Sequence, residues 1–152
     1  MIPQDSQALF RVAQWILENK RRVVKKVREV AGTEENYLII IREIDRVESQ
    51  LRRARTMHAE ATLTLMDWLN TLEYFHWQCA YCESRSFQVM SHVIQLPMGG
   101  TTPDNCVPGC YGCRASKKKG ENKRVQAYLS SLQCRSGKTE MVDTLPSSPP
   151  HR

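Results

Sequence analysis

Four cysteines stand in two pairs of identical spacing. Cys79 and Cys82 form one C-x2-C pair and Cys110 and Cys113 another, with 27 residues between the pairs. A two-residue gap lets two thiolates converge on one ion, and a second such pair completes the tetrahedral sulfur shell that structural zinc favours. The expectation is one closed zinc site per chain. Two buried reduced pairs, or two disulfides, would leave the shared spacing without a reason. The segment is also short: a module of roughly 55 residues buries little core, and such modules commonly need a metal staple. Cys106 and Cys134 complete the six cysteines and read as ordinary free thiols.

Between the pairs the chain runs Ser91-His92-Val93-Ile94-Gln95, then Gly99-Gly100-Thr101-Thr102-Pro103-Asp104-Asn105-Cys106-Val107-Pro108, then Cys110-Tyr111-Gly112-Cys113-Arg114-Ala115-Ser116-Lys117. An alternating segment ends at His92, a glycine turn follows, and Asp104-Asn105 leads a short strand into the second pair. This order resembles the zinc-stapled form of the HNH endonuclease family, over roughly Cys79 to Gly120. The resemblance implies a small ββα-metal, treble-clef-like module. It implies that His92 is the general base that takes a proton from the water attacking a phosphodiester, a task suited to an imidazole with an ordinary pKa near 6.5. It also implies that Asn105 orients that imidazole by a hydrogen bond, and that Lys117 is the family's lysine.

Two positions depart from the family's pattern. Ser91 stands where an aspartate commonly ligates the catalytic divalent ion, and Arg114 stands where an asparagine or histidine supplies the other ligand. A hydroxyl is a poor ligand for Mg²⁺ or Mn²⁺ beside a carboxylate, and a guanidinium is no ligand at all. Gln95 replaces the expected proline. Either ion would be the family's catalytic cofactor, yet its ligands are not evident in this chain. Arg114 offers a positive charge to a phosphate in its place.

The C-terminal arm suits nucleic acid. From Arg114 to Lys138 there are eight Lys or Arg residues against one acid, Glu121. Arg114, Lys117, Lys118, Lys119, Lys123 and Arg124 are the expected phosphate contacts, with Val125, Tyr128, Leu129 and Leu132 forming the inner face of a helix. No base-reading motif is present, so the expected partner is DNA, or RNA, held by its backbone.

These residues need a scaffold, and the first half supplies helices. Asp5 or Ser6 caps a helix from about Gln7, with Leu9, Ala13, Ile16, Val23, Val27 and Val30 on one face. Gly32 stops it, Thr33 caps the next helix, and Glu34 and Glu35 suit its positive end. Tyr37, Ile40, Ile44, Val47, Leu51, Ala54, His58, Ala61, Leu65, Trp68 and Leu72 then alternate by three and four residues. Only His58 interrupts this apolar seam, and it reads as a polar register-setting residue. A continuous second helix would reach about 60 Å, against about 40 Å for the first. The expectation is an antiparallel hairpin whose surplus seam covers the zinc module, a second copy or a partner protein. Lys20, Arg21, Arg22, Lys25, Lys26 and Arg28 form a basic run that is either a solvated face or a phosphate contact.

The fold expected is thus α+β, mostly α: a helical hairpin over residues 1–75, a zinc module with a basic helix over 76–133, and a disordered tail over 134–152. The chain has 152 residues and a net charge of +6. Residues 1–75 hold 12 basic and 11 acidic residues, and residues 76–152 hold 10 and 5, so +5 of the charge belongs to the zinc half. No apolar run suits a membrane span and no secretory signal opens the chain, which fits a cytoplasmic protein. The leading functional expectation is a DNA-cleaving HNH-type nuclease. A nucleic-acid-binding zinc module that has lost cleavage is the alternative, and a coiled-coil assembly protein is the third.

Overall fold

The computed structural model describes residues 2–19, 24–114 and 119–144, with the side chains of Arg114 and of residues 134–144 left aside. Lys20, Arg21, Arg22, Val23, Lys117 and Lys118, the side chain of Cys134 and the final residues 145–152 therefore lie outside the described residues. Six α-helices and one antiparallel pair of strands follow the order α1 (Ser6–Asn19), α2 (Val24–Ala31), α3 (Glu34–Thr56), α4 (Leu65–Tyr74), β1 (Val89–His92), β2 (Cys106–Gly109), α5 (Tyr111–Arg114) and α6 (Lys123–Thr144). The chain is α+β and mostly α. No helix among the described residues is long and apolar enough to cross a membrane.

The caps act as their residue types dictate. The Asp5 carboxylate accepts from the Ala8 amide at 3.3 Å, and the Thr33 hydroxyl accepts from the Asn36 amide at 3.1 Å. Gly32, at φ +83°, supplies the left-handed turn between α2 and α3.

The long second helix is a correction: α3 ends at Thr56. His58 adopts φ 58°, and the Ala59 amide reaches back to the Ala54 carbonyl at 2.9 Å, closing the helix as a left-handed C-terminal residue does. His58 thus terminates the helix rather than setting its register. A new helix begins when Thr64 and Asp67 form a reciprocal capping box. α4 then folds back against α1 and α3. The seam residues Ile40, Ile44 and Val47 are covered within the chain itself. α6 continues past residue 133 to Thr144, and the first proline after Pro108 is Pro146.

One core crosses residue 75. Leu9 and Val12 of α1, Ile40 and Ile44 of α3 and Trp68 of α4 share a cluster with Trp77, Phe87, Met90 and Cys106. Val107, the strand residue next to Cys106, points the other way, into a smaller cluster with Phe75, Ala80, Val125 and Tyr128. The two-stranded sheet therefore turns one face to the helical layer and the other toward α6, which also meets the end of α4 where the Tyr128 hydroxyl reaches Thr71 Oγ1. Glu43, 2% exposed, ties the layers together. Its Oε1 accepts from Trp68 Nε1 at 2.9 Å and from Arg46 Nε at 2.8 Å. Arg46 in turn donates to the Gln88 carbonyl at 3.0 Å, just before β1, and its guanidinium lies over the Phe87 ring. Replacing Glu43 by Ala strips the partner from a largely buried guanidinium and an indole donor. Urea unfolding is expected to show a loss of about 3 kcal/mol, with Trp68→Phe losing less because Arg46 keeps its carboxylate.

Candidate functional site

The first centre is the thiol cluster. Cys79 and Cys82 lie on a tight turn in which the Cys79 amide donates to the Arg85 carbonyl at 2.8 Å and the Glu83 amide to the Cys79 carbonyl at 3.1 Å. The Ala80 amide joins this turn to β2 through the Pro108 carbonyl at 2.8 Å. Cys110 follows β2 directly and Cys113 sits within α5, so the strand delivers the second pair to the first. All four Sγ atoms lie within 4.8 Å of one another, with Cys82 and Cys110 at 4.0 Å. A tetrahedron with metal–sulfur bonds of about 2.3 Å places its sulfurs about 3.8 Å apart, so the four residues can hold one metal ion. Hydrogen bonds from Ser84 pull Cys82 down to about 6, while desolvation and the neighbouring thiols push Cys113 up to about 12. Without a cation, the four sulfurs cannot all be thiolates.

Arg124, expected at the nucleic-acid surface, is instead turned inward. Its guanidinium donates to the carbonyls of Cys79 (3.3 Å) and Ala80 (3.2 Å), pairs with Glu83 at 3.2 Å and lies over the Phe75 ring. These carbonyls need a donor with several N–H groups, and the first turn of α6 provides one. Asn122 fixes that turn, accepting from the amides of Arg124 and Val125 and donating to the Tyr81 carbonyl.

The second centre is the cavity around His92. The strand register sets His92 opposite Cys106 and Ser91 opposite Val107. His92 is 7% exposed and opens on a cavity of about 360 Å³ whose polar lining is Arg46, Gln50, Arg53, Ser91, Gln95 and Lys119. Its Nε2 lies 2.9 Å from Thr101 Oγ1. Thr101 has one hydroxyl proton and gives it to the Gln50 carbonyl at 3.1 Å, an atom that can only accept. The bond to the imidazole therefore runs from Nε2–H to the hydroxyl, and the lone pair of a neutral ring sits on Nδ1. Burial lowers the His92 pKa to about 4, with Arg53 and Lys119 adding to the effect. The ring is neutral at ordinary pH.

Asn105 does not orient that ring. Its Oδ1 accepts from the Ile94 amide and its Nδ2 donates to the Ile94 and Gly100 carbonyls, each at 2.8 Å. With both donors so engaged, Asn105 clamps the two ends of the β1–β2 loop, and Thr101 has the role expected of Asn105. Gly99 follows from that clamp, and Gly100 from the close passage of the link between α3 and α4. A Cβ on Gly99 would stand 2.3 Å from the Ile94 carbonyl and one on Gly100 2.7 Å from the Glu60 carbonyl.

Lys119 is also placed differently from expectation. It is 7% exposed, and its ammonium donates to the His92 carbonyl at 3.0 Å and to Ser91 Oγ at 3.4 Å. Ser91 Oγ also meets the Tyr81 hydroxyl at 3.0 Å. An ammonium thus faces the position where the family's pattern has a carboxylate for a divalent ion. Among the described residues no Asp or Glu lines this cavity, and a cavity lined by cations does not fit Mg²⁺ or Mn²⁺. Lys123 is exposed, as expected of a phosphate contact, and Arg114 ends α5. Thr101, Arg46, Gln50 and Arg53 join the site from outside the family pattern. The last three are spaced by four and three residues on α3, a polar face beside the apolar seam, which is the signal that could have found them.

Comparison with known proteins finds no family whose pattern matches this chain, and no curated protein or solved structure that is similar to it.

Two measurements test the centres. Metal analysis of the purified protein is expected to give one ion per chain, and Cys110→Ser is expected to lose both the ion and much of the thermal stability. For His92, the unfolded chain takes up a proton near pH 6.5 while the folded chain resists until about 4. Its stabilising contribution is complete above pH 6.5 and falls away as pH drops from 6.5 to 4. Unfolding midpoints followed over that window are expected to fall less steeply in His92→Gln than in the parent.

Proposed function

We propose that this chain is an HNH-like zinc module that binds the phosphate backbone of nucleic acid, DNA in the first instance, over the His92 cavity. The observation that carries the reading is the cavity's charge: Arg53 and Lys119 flank a neutral histidine with no carboxylate among the described lining residues, while Arg46 on the same wall is paired with Glu43 behind it. Such a concave cationic site favours a phosphodiester, whose charge it meets without a bridging metal. Zinc at Cys79, Cys82, Cys110 and Cys113 is the folding staple in this reading, holding β2 and α5 against the turn after α4. Exposed Lys123 adds positive charge, and Arg114, Lys117 and Lys118 belong to the same arm.

A specific observation favours cleavage as a second reading. The hydrogen bond to Thr101 leaves the Nδ1 lone pair of His92 available to take a proton from a water attacking phosphorus. The new P–O bond forms as the bond to the sugar oxygen breaks, and that oxygen takes its proton from solvent. Arg53 and Lys119 would stabilise the added negative charge of the phosphorane. An imidazole of pKa about 4 is a weak base, so any such reaction is slow.

Gel retardation of a labelled duplex decides between these readings and neither. Binding is expected to weaken steeply with salt, and Arg53→Ala to weaken it by about tenfold, the loss typical of one charged hydrogen bond. Binding without strand scission, with or without added Mg²⁺, supports the binding module. Scission that His92→Ala abolishes supports the nuclease. A chain that retards neither DNA nor RNA at low salt would remove the proposal.

A further inference from the structure

The loop that joins β1 to β2 combines rigidity with exposed apolar side chains. Met98 is 88% exposed, the most open of the large apolar residues described, and Ile94 is 57% exposed. Leu96 and Pro97 lie between them. Asn105 holds the loop at Ile94 and Gly100 by three hydrogen bonds, and the Gly99 amide donates to the Gln95 carbonyl at 2.9 Å within it. The close approach of Gly99 to Ile94 and Asn105 leaves no room for a side chain there. The backbone of a clamped loop is already ordered, so covering its apolar residues costs the rotamer freedom of their side chains but little backbone entropy.

The same loop borders the cationic cavity. Gln95 and Leu96 line it beside Arg53 and Lys119, so the positive charge and the apolar tip belong to one continuous surface. A partner must therefore offer an anionic group and, beside it, an apolar face. Nucleic acid does this, with phosphates next to the flat faces of bases, and Ile, Leu, Met and Pro are side chains that open base steps when inserted as wedges. A lipid surface also pairs phosphate with apolar matter. Its headgroups form a plane, however, and a plane suits exposed lysines around an apolar tip rather than a recessed cavity in which Lys119 is buried beneath the strand.

We infer that the Ile94–Met98 loop is an apolar wedge that enters between two bases of a nucleic acid whose backbone phosphate occupies the adjacent His92 cavity. This rests on the phosphate-binding reading above and adds to it a mode of engagement: the duplex is unstacked at one step, next to the bound phosphate. Because unstacking is cheapest where bases are mismatched or nicked, such sites are the substrate class the wedge favours.

The test uses the full chain and duplexes carrying 2-aminopurine at successive positions, with binding followed separately by fluorescence anisotropy. The parent protein is expected to raise 2-aminopurine emission several-fold, most strongly beside a mismatch, and to bind a mismatched duplex more tightly than a matched one. Met98→Ser, which alters a side chain almost wholly in solvent, is expected to bind several-fold more weakly with an unchanged salt dependence and to lose most of the emission rise. Ile94→Thr provides a second, independent variant. Binding by the parent without an emission rise at any position overturns the wedge and leaves the phosphate site standing. So does a full emission rise in both variants. No binding to any duplex removes both ideas. Vesicles of phosphatidylcholine and phosphatidylserine complete the set: sedimentation with them that depends on Met98, without unstacking of any duplex, would make the loop a membrane contact and overturn the proposal.

Discussion

Thr101 is the point on which the candidate site turns. Its amide donates to the Glu60 carbonyl, its carbonyl accepts from the amides of Thr62 and Leu63, and its hydroxyl donates to the Gln50 carbonyl while accepting from His92. Through one fully buried residue, the end of α3, the link to α4, the β1–β2 loop and the imidazole are fixed relative to one another. Each of these bonds is worth little by itself, but a buried polar group left without its partner costs more than the bond supplies. The arrangement is therefore close to all or none. It also sets the chemistry, because a single hydroxyl proton committed to a backbone carbonyl decides which imidazole nitrogen carries hydrogen.

Around that point, charge is distributed in an order that burial dictates. Lys119 keeps its ammonium beneath the strand by donating to a carbonyl and a hydroxyl, and Arg46 keeps its guanidinium beside Glu43. Arg53 is more exposed and faces the same cavity. Lys119, held by neutral acceptors, retains most of its field because little water is present to screen it, whereas Glu43 offsets the charge of Arg46. The cavity thus keeps a permanent positive potential without a bound ion. The protein's own side chains bring that charge.

Much of this was readable from residue types. The two cysteine pairs, the Thr33 cap, the Gly32 stop and the strand ending at His92 follow from rules that act over a few residues, and all stand in the structure. The break at His58 was hidden because the three-and-four spacing continues in phase from Ala54 to Ala61, Leu65 and Trp68, so periodicity cannot distinguish one helix from two. Thr64 three residues before Asp67 was the local sign of a new start. Lys119 and Arg124 were misplaced for another reason. A run of basic residues reads as surface, yet each of these two meets carbonyls delivered by distant parts of the chain, His92 in one case and Cys79 and Ala80 in the other. Asn105 was assigned to the imidazole by resemblance, and only the folded loop shows that its amide is fully engaged elsewhere.

The core that crosses residue 75 carries a consequence for how this molecule could be divided or inherited. Trp77, Phe87 and Met90 belong by position to the cysteine-bearing segment, yet they bury against Leu9, Ile40 and Trp68 from the helices. Cut away from those helices, the cysteine segment would expose three large side chains and lose the Glu43–Arg46 strut that reaches Gln88. It is therefore not a portable cassette that recombination could move alone into another protein. The helices and the metal segment are a single heritable unit, and any functional transfer of the cavity must carry α3 along with the strands.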